Sequence, residues 1–304
     1  MSHVVDQFGN HGASPCVIEF RRFFLSKPRP LSRLLPPLAL FLTLTALFPA
    51  AGRAASGAPE LSWRKAGEAP HDETAFTQGL LLLDGKLYES TGLYGHSELR
   101  RIDPATGAAL ERQVLPARLF GEGLAASGGV LYQLTWKENT VRKYSAATLA
   151  PLGELPQGGE GWGLAFDGRD FIRSDGSNRL YFHSPATFAP VRTIEVTDNG
   201  APVDRLNALA FVRGMILANI WYSDKIAVIS PAGGKVLGWL DMTALRPASC
   251  PPGSEKVFNG IAYDPGSGWL YLTGKLWPRL FVVEVDWRGL ASPDRPNPAL
   301  KDAQ

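Results

Sequence analysis

Short apolar runs recur along the chain from residue 76 onward, and tight-turn signals separate them in pairs. The turns carry dipeptides such as Asp84-Gly85 and Asp167-Gly168, which favour β-hairpins. Two further strand-like runs follow each pair, so each unit is predicted to hold four strands. Five units begin with similar segments at steps of 44, 40, 45 and 52 residues, namely Phe76-Thr-Gln-Gly-Leu80, Phe120-Gly-Glu-Gly-Leu124, Glu160-Gly-Trp-Gly-Leu164, Arg205-Leu-Asn-Ala-Leu209 and Val257-Phe-Asn-Gly-Ile261.

Four strands per unit, repeated every 40 to 50 residues, are typical of propeller blades, because a single blade buries its faces only against its neighbours. We therefore predict an all-β chain, a five-bladed β-propeller with four-stranded antiparallel blades, over residues 55–290. The fifth unit has little chain left after Val285, so residues 61–65 are expected to supply its outer strand and close the ring. Residues 291–304 are polar and Pro-rich and are expected to form a flexible C-terminal tail.

The first 54 residues differ in composition from the rest. Basic residues precede an apolar run over residues 34–51, and small residues follow it, which is the order of a secretory signal peptide. We expect cleavage after Ala54 and a secreted or periplasmic protein with no stable membrane association. The length of the run leaves open an uncleaved membrane anchor. Cleavage would remove Cys16 and leave Cys250, expected to be a loop thiol, without a partner for a disulfide.

Charge narrows the partners that the protein could bind. The sequence holds 31 basic and 29 acidic residues, a net charge of +2, and they are spread along the chain. No basic patch of the kind that binds nucleic acid stands out, so nucleic acid is not an expected partner. We expect a monomer that acts on small or neutral ligands.

Two columns of the repeat alignment carry polar and aromatic residues where packing alone would favour similar apolar ones. Equivalent positions of a propeller surround one axis, so each column becomes a ring in space. If the opening strand of each unit is the innermost, both rings lie at the same end of the channel. The first column, before the opening strand, holds Gln78, Glu122, Trp162, Asn207 and Asn259. The second, after the next strand, holds Gly92, Trp136, Gly176, Trp221 and Lys275.

These side chains could serve only to cap backbone groups and to pack between blades. A single carboxylate, Glu122, among three tryptophans is however a costly arrangement for a structural purpose. Indole walls would desolvate Glu122 and raise its pKa, which suits a proton shuttle near neutral pH. The mouth of the channel is therefore the predicted site of chemistry.

Several ordered motifs lie on these columns, among them Phe76-Thr-Gln-Gly-Leu80, Phe120-Gly-Glu-Gly-Leu124, Gly159-Glu-Gly-Trp-Gly-Leu164, Ala218-Asn-Ile-Trp221 and Thr273-Gly-Lys-Leu-Trp-Pro278. Over residues 70–285 the chain resembles the plant and bacterial glutaminyl-peptide cyclotransferases, a family of five-bladed propellers. The resemblance implies conversion of N-terminal glutaminyl residues of peptides or proteins to pyroglutamate, with release of ammonia and without a cofactor. It implies that Glu122 is the catalytic acid/base. The implied substrate-pocket residues are Phe76, Gln78, Phe120, Trp136, Trp162, Asn207, Trp221 and Lys275.

The amide oxygen of the substrate would gain negative charge during this reaction, and Asn207, Gln78 and Lys275 are candidates to hydrogen-bond it. The resemblance departs at residues 207–210, where the family usually has Asn-Glu-Leu-Glu and this chain has Asn-Ala-Leu-Ala. Two acidic side chains that could orient Lys275 or bind the substrate amine are therefore missing.

Two other functions remain open at this stage. The missing acidic pair keeps a non-catalytic peptide-binding propeller as an alternative. A calcium-dependent propeller hydrolase or lactonase is the other, although one carboxylate beside Trp162 forms a poor calcium cage. The sequence predicts no catalytic metal and leaves a structural ion in the channel open.

Overall fold

The computed structural model of the protein describes residues 57–290, which are almost entirely strand and turn. The predicted leader, over residues 1–54, and the predicted tail, over residues 291–304, lie outside the described residues. Within residues 57–290 the only helical segments are two short 3-10 turns, Thr243–Leu245 and Trp287–Gly289. In that part of the chain no helix has the length and apolar character needed to cross a membrane.

Five four-stranded antiparallel sheets follow one another along the chain, as the repeat predicts. The chain enters through β1 (Trp63–Pro70). The first blade contains β2 (Thr77–Leu83), β3 (Lys86–Thr91), β4 (Glu98–Ile102) and β5 (Ala109–Val114). The second contains β6 (Gly121–Ser127), β7 (Val130–Thr135), β8 (Thr140–Ser145) and β9 (Pro151–Pro156). The third contains β10 (Leu164–Phe166), β11 (Phe171–Arg173), β12 (Arg179–His183) and β13 (Pro190–Glu195).

A small hairpin, β14 (Thr197–Asp198) and β15 (Ala201–Pro202), leads from the third blade to the fourth. The fourth blade contains β16 (Leu206–Val212), β17 (Met215–Ile220), β18 (Lys225–Ile229) and β19 (Val236–Asp241). The fifth contains β20 (Phe258–Tyr263), β21 (Leu270–Gly274) and β22 (Arg279–Val285). The innermost strands β20, β2, β6, β10 and β16 each contact the next and close into a ring. The five-bladed β-propeller predicted from the sequence is confirmed.

The ring is closed by the strand that precedes the first blade. β1 pairs antiparallel with β22, so the N-terminal strand is the outer strand of the fifth blade. The predicted strand over residues 61–65 covers only the start of β1, which continues to Pro70 past an irregularity between Lys65 and Gly67. The sequence signal ended there because Gly and Pro weaken strand patterns, whereas an outer edge strand tolerates both.

Apolar side chains are buried between neighbouring blades. Five clusters of buried residues lie one at each blade-to-blade contact, such as Tyr88 and Leu99 against Leu131 and Tyr144. Cys250 lies in a loop, as predicted, but it is fully buried in the cluster between the fourth and fifth blades. Stability therefore comes from contacts between blades, while the channel lining is free to carry other residues.

The Gly of the repeated Gly-Leu dipeptide lets the innermost strands approach each other closely. A Cβ atom on Gly163 would lie 2.0 Å from the backbone oxygen of Asn207, and one on Gly123 would lie 2.4 Å from the backbone nitrogen of Leu164. Only glycine fits where backbone packs on backbone in this way. The column residues that precede these glycines are consequently held close to the axis.

Candidate active site

Both polar columns lie at the same end of the channel. In four blades the backbone N–H of the second-column residue donates to the carbonyl two positions before the first-column residue. These bonds run from Gly92 to Phe76 (2.8 Å), Trp136 to Phe120 (3.0 Å), Trp221 to Arg205 (2.8 Å) and Lys275 to Val257 (2.9 Å). In the third blade β10 is shorter, and Trp162 N–H donates instead to the carbonyl of Ser174 at 3.0 Å. The structure therefore brings all nine predicted site residues to one mouth.

A break in strand pairing turns four first-column side chains toward the axis. The register between the first and second strands shifts beside Gln78, Glu122, Asn207 and Asn259. Such bulges re-aim side chains and are common next to active sites. The sequence suggested that these residues precede the opening strands. They lie within those strands instead, and all four are buried.

Glu122 is held by a chain of amide hydrogen bonds. The Nε2 of Gln78 donates to the Oε1 of Glu122 at 2.9 Å. The Oε1 of Gln78 accepts from the Nδ2 of Asn259 at 3.3 Å, and that Nδ2 also donates to the backbone oxygen of Thr77 at 3.0 Å. Asn259 thereby fixes which end of the Gln78 amide faces Glu122.

Glu122 and Lys275 are buried together with opposite shifts of their pKa values. Burial raises the pKa of Glu122 well above its ordinary value; Lys275 opposes this shift, whereas the charges of Glu160 and Glu138 add to it. Burial lowers the pKa of Lys275 to about 8, although Glu122 and Glu255 counteract it. Burial therefore shifts the pKa values of the two groups toward each other, which favours proton transfer in catalysis.

Aromatic rings wall the space around these two groups. The centroids of Phe76 and Phe120 are 6.2 Å apart, edge to face, and those of Phe120 and Trp136 are 5.4 Å apart. On another side Trp162 and Trp221 meet at 5.3 Å with their planes at 82°. The Nζ of Lys275 lies 4.6 Å from the centroid of Phe76.

Asn207 presents a buried hydrogen-bond acceptor that no described residue satisfies. Its Oδ1 has no partner, while its backbone oxygen accepts from the Oγ of Ser174 at 2.8 Å. An unpaired buried oxygen is costly, so an N–H group of a ligand would stabilise it. The sequence predicts Asn207 as a donor to the substrate oxygen; its free Oδ1 would in addition accept an N–H group of a ligand.

Sequence reasoning missed two acidic residues that support the aromatic wall. The Oε1 of Glu160 accepts from the Nε1 of Trp136 at 2.5 Å and from the Nε1 of Trp162 at 2.9 Å. Glu138 accepts from the hydroxyl of Tyr94 at 2.7 Å. Both acids stand two positions from a tryptophan of a column, and that spacing is the signal that could have found them.

The departure from the family pattern leaves two buried methyl groups in β16. Ala208 and Ala210 are both buried, and the backbone N–H of Ala208 donates to the Oδ1 of Asn259 at 3.3 Å. The acidic groups that raise the pKa of Lys275 are Glu122 and Glu255. The side chains at positions 208 and 210 therefore supply no negative charge to Lys275.

Two glycines of the second column make room for the rings. A Cβ atom on Gly92 would lie 2.3 Å from the ring of Phe120, and one on Gly176 would lie 2.6 Å from the ring of Trp162. The structure shows that aromatic side chains of the site fill that space.

We expect Gly176→Ala to lower kcat/KM for the reaction of this site by about 10- to 100-fold, because the added methyl group would displace Trp162. Gly168→Ala is the matched control, since Gly168 also has a left-handed φ, of 93° against 83° for Gly176, but nothing lies within 4 Å of its Cβ position. Both variants carry backbone strain of about 1 kcal/mol. Steady-state kinetics of the two variants make the comparison, and equal kcat/KM values would contradict the packing role.

Among residues 57–290 no three His, Cys, Asp or Glu side chains converge in a way that could hold a metal ion.

The opposite end of the channel holds a cavity of about 310 Å³ lined by apolar residues of the innermost strands. The residues that line this cavity include no carboxyl, imidazole or ammonium group, in contrast to the mouth that carries Glu122 and Lys275.

Comparison with known proteins agrees with this geometry. Residues 38–285 match the model of a family described as glutamine cyclotransferase. A glutaminyl-peptide cyclotransferase of Arabidopsis thaliana is 37% identical over 278 residues, which cover 87% of this chain and 86% of that protein. The crystal structure of Myxococcus xanthus glutaminyl cyclase superposes with a TM-score of 0.71 at 39% identity, over 75% of this chain and 98% of the other. The chain belongs to the glutamine cyclotransferase family.

Proposed function

We propose that this protein is a glutaminyl-peptide cyclotransferase in which Glu122 carries the proton. It converts the N-terminal glutaminyl residue of a peptide or protein to pyroglutamate and releases ammonia. The observation that carries the assignment of roles is the burial of Glu122 between Gln78 and Lys275 behind aromatic walls.

The reaction joins two groups of one residue. The α-amine attacks the side-chain amide carbon, a C–N bond forms, and the C–N bond to the departing nitrogen breaks. Glu122 accepts the proton that the attacking amine loses and gives it to the departing nitrogen, which leaves as ammonia. Holding both groups in the closing rotamer supplies much of the rate enhancement by proximity.

Negative charge that develops on the amide oxygen needs a donor. Lys275 is the best candidate, because its Nζ makes no salt bridge among the described residues. Gln78 already directs its Nε2 toward Glu122, and Asn207 offers an acceptor that suits an N–H of the substrate. The rings of Phe76, Phe120, Trp136, Trp162 and Trp221 would exclude water, which favours ring closure over hydrolysis.

Lys275→Met should lower kcat by about 100-fold or more, because a preorganised donor to the oxygen is lost. The same change should stabilise the fold at pH 7 by about 1 to 3 kcal/mol, since a buried cation with a pKa of about 8 is removed. Because its pKa is depressed, charged Lys275 lowers the stability of wild type. This free-energy cost is fully present below pH 8 and disappears as pH rises from 8 toward 10.5. Urea unfolding at pH 7 and pH 10, with peptide turnover, measures both effects. A less stable variant at pH 7 would contradict this account.

Incubation of the purified protein with a peptide that begins with Gln tests the function. We expect ammonia and a peptide whose mass is lower by one ammonia. The same peptide with an acetylated α-amine is the control and should not react, because the nucleophile is blocked. Binding without product would favour a peptide-binding propeller, and loss of turnover on chelation would favour a calcium-dependent enzyme.

The location of the protein and its state of assembly are part of the proposal. The apolar run over residues 34–51 supports export with cleavage after Ala54, which would make exported polypeptides beginning with Gln the substrates. The monomeric state remains the expectation. Mass spectrometry of the mature N-terminus and sedimentation of the purified protein test these two points.

A further inference from the structure

Glu160 lies on a tightly held loop between the second and third blades. The Nε2 of Gln157 donates to the backbone oxygen of Thr135 at 2.7 Å and to that of Gly159 at 2.8 Å. Gly158 and Gly159 have left-handed φ values of 77° and 125°, so the loop follows a path that other residues rarely adopt.

Neighbouring side chains pin the same loop from two further directions. The Oδ1 of Asn139 accepts from the backbone N–H of Gly158 at 2.7 Å and of Gly159 at 2.9 Å. The buried guanidinium of Arg173 donates to the backbone oxygen of Glu160. A loop held at so many points presents its side chain in a defined position.

The side chain presented in this way joins two walls of the site. Trp136 follows β7 of the second blade, and Trp162 precedes β10 of the third. Both indole N–H groups donate to the same Oε1 atom of Glu160, at 2.5 and 2.9 Å. Hydrogen bonds to a charged group are among the stronger ones in proteins, and together these two fix the orientation of one ring against the other.

We propose that Glu160 is a positioning residue of the cyclisation, which clamps the indoles of Trp136 and Trp162 across the boundary between two blades. The inference rests on the proposed function. Through the two rings Glu160 shapes the wall of the substrate pocket.

The charge of Glu160 also acts on Glu122. The charged groups that affect the pKa of Glu122 are Lys275, which lowers it, and Glu160 and Glu138, which raise it. Removing the charge of Glu160 lowers the pKa of Glu122. Because Glu122 must be ionised to accept the proton, the acidic limb of kcat/KM then moves to lower pH.

Two variants separate the clamp from the charge. Glu160→Gln keeps a carbonyl oxygen that can accept both indole N–H groups, whereas Glu160→Ala removes the acceptor. We expect KM to rise about tenfold in Glu160→Ala and to stay near the wild-type value in Glu160→Gln. The acidic limb should move to lower pH in both. Glu195→Gln is the control, because it removes a charge from an exposed residue of β13.

The outcomes are distinct from those of the functional assay. If wild type does not cyclise the peptide, the proposed function fails. If wild type is active and both variants match it in KM and pH profile, the role of Glu160 is overturned. If Glu160→Ala does not fold, Glu160→Leu replaces it, because leucine fills similar volume without an acceptor; a KM equal to that of Glu160→Gln would then contradict the clamp.

Discussion

Replacement of Glu122 by Gln should lower kcat for N-terminal glutamine cyclisation by about 100- to 10,000-fold, the usual contribution of a positioned acid or base. The amide is isosteric and cannot shuttle a proton. The Nε2 of Gln78 can still donate to the oxygen at this position, where it now meets Oε1 at 2.9 Å. The variant should therefore fold normally, and the loss should appear in kcat.

Peptide turnover and thermal unfolding of the same preparation test this prediction. Glu195→Gln is the control, because Glu195 forms an exposed pair with Arg179 and its loss should leave kcat unchanged. Turnover by Glu122→Gln at the wild-type rate would remove Glu122 from the mechanism. A variant that binds the peptide without releasing ammonia is the expected result.

The second large effect is expected at a buried ionic network beneath the segment that carries Phe76 and Gln78. The Oε1 of Glu89 accepts from the hydroxyl of Thr77 at 2.6 Å and lies 3.0 Å from the Nε2 of His71. The Oε2 of Glu89 accepts from Nη2 of Arg100 at 2.5 Å. Glu89 thus joins the start of β2 to β3 and β4.

Glu89→Gln should lower the free energy of unfolding by about 3 kcal/mol, because it removes the buried carboxylate that pairs with both His71 and Arg100 and leaves Arg100 only its pair with Asp72. For a domain of this size, that corresponds to a melting temperature lower by roughly 10 °C. Urea unfolding monitored by tryptophan fluorescence measures the change. The exposed pair is the control, since Glu195→Gln should change stability by less than about 1 kcal/mol. Equal stability of the two variants would contradict the role of the network.

The same network makes the stability difference between wild type and Glu89→Gln depend on pH. Although burial opposes it, His71 and Arg100 lower the pKa of Glu89 from 4.5 to about 2. A depressed carboxyl pKa contributes stability that is fully present above pH 4.5 and is lost as pH falls toward 2. The advantage of wild type over Glu89→Gln should therefore shrink across that window.

The contribution of His71 to stability has the opposite dependence on pH. Burial opposes ionisation, but Glu89 and the carbonyl of Trp277 raise the pKa of His71 above 6.5 overall. Its contribution is fully present below pH 6.5 and is lost as pH rises through the raised value. The network should thus stabilise the fold most between the two windows.

The repeat made the fold predictable from local patterns. Each blade repeats one alternation of apolar runs and turns, and a closed ring follows because every blade needs two neighbours. The columns were also readable, since equivalent positions in a ring face one axis. The end of β1 was not, because Gly67 and Pro70 carry no strand signal and are held only by pairing with β22.

Sequence patterns could not predict contacts between residues that do not occupy equivalent positions of the repeat. Glu160 meets Trp136 from the preceding blade, and Glu89 meets His71 and Arg100 from different segments. The free Oδ1 of Asn207 likewise depends on which groups surround it. Local patterns thus specify the blades and the side chains that face the channel, because both repeat along the chain. Only the tertiary structure determines how deeply those side chains are buried and which groups they contact, because both depend on residues that are distant in sequence.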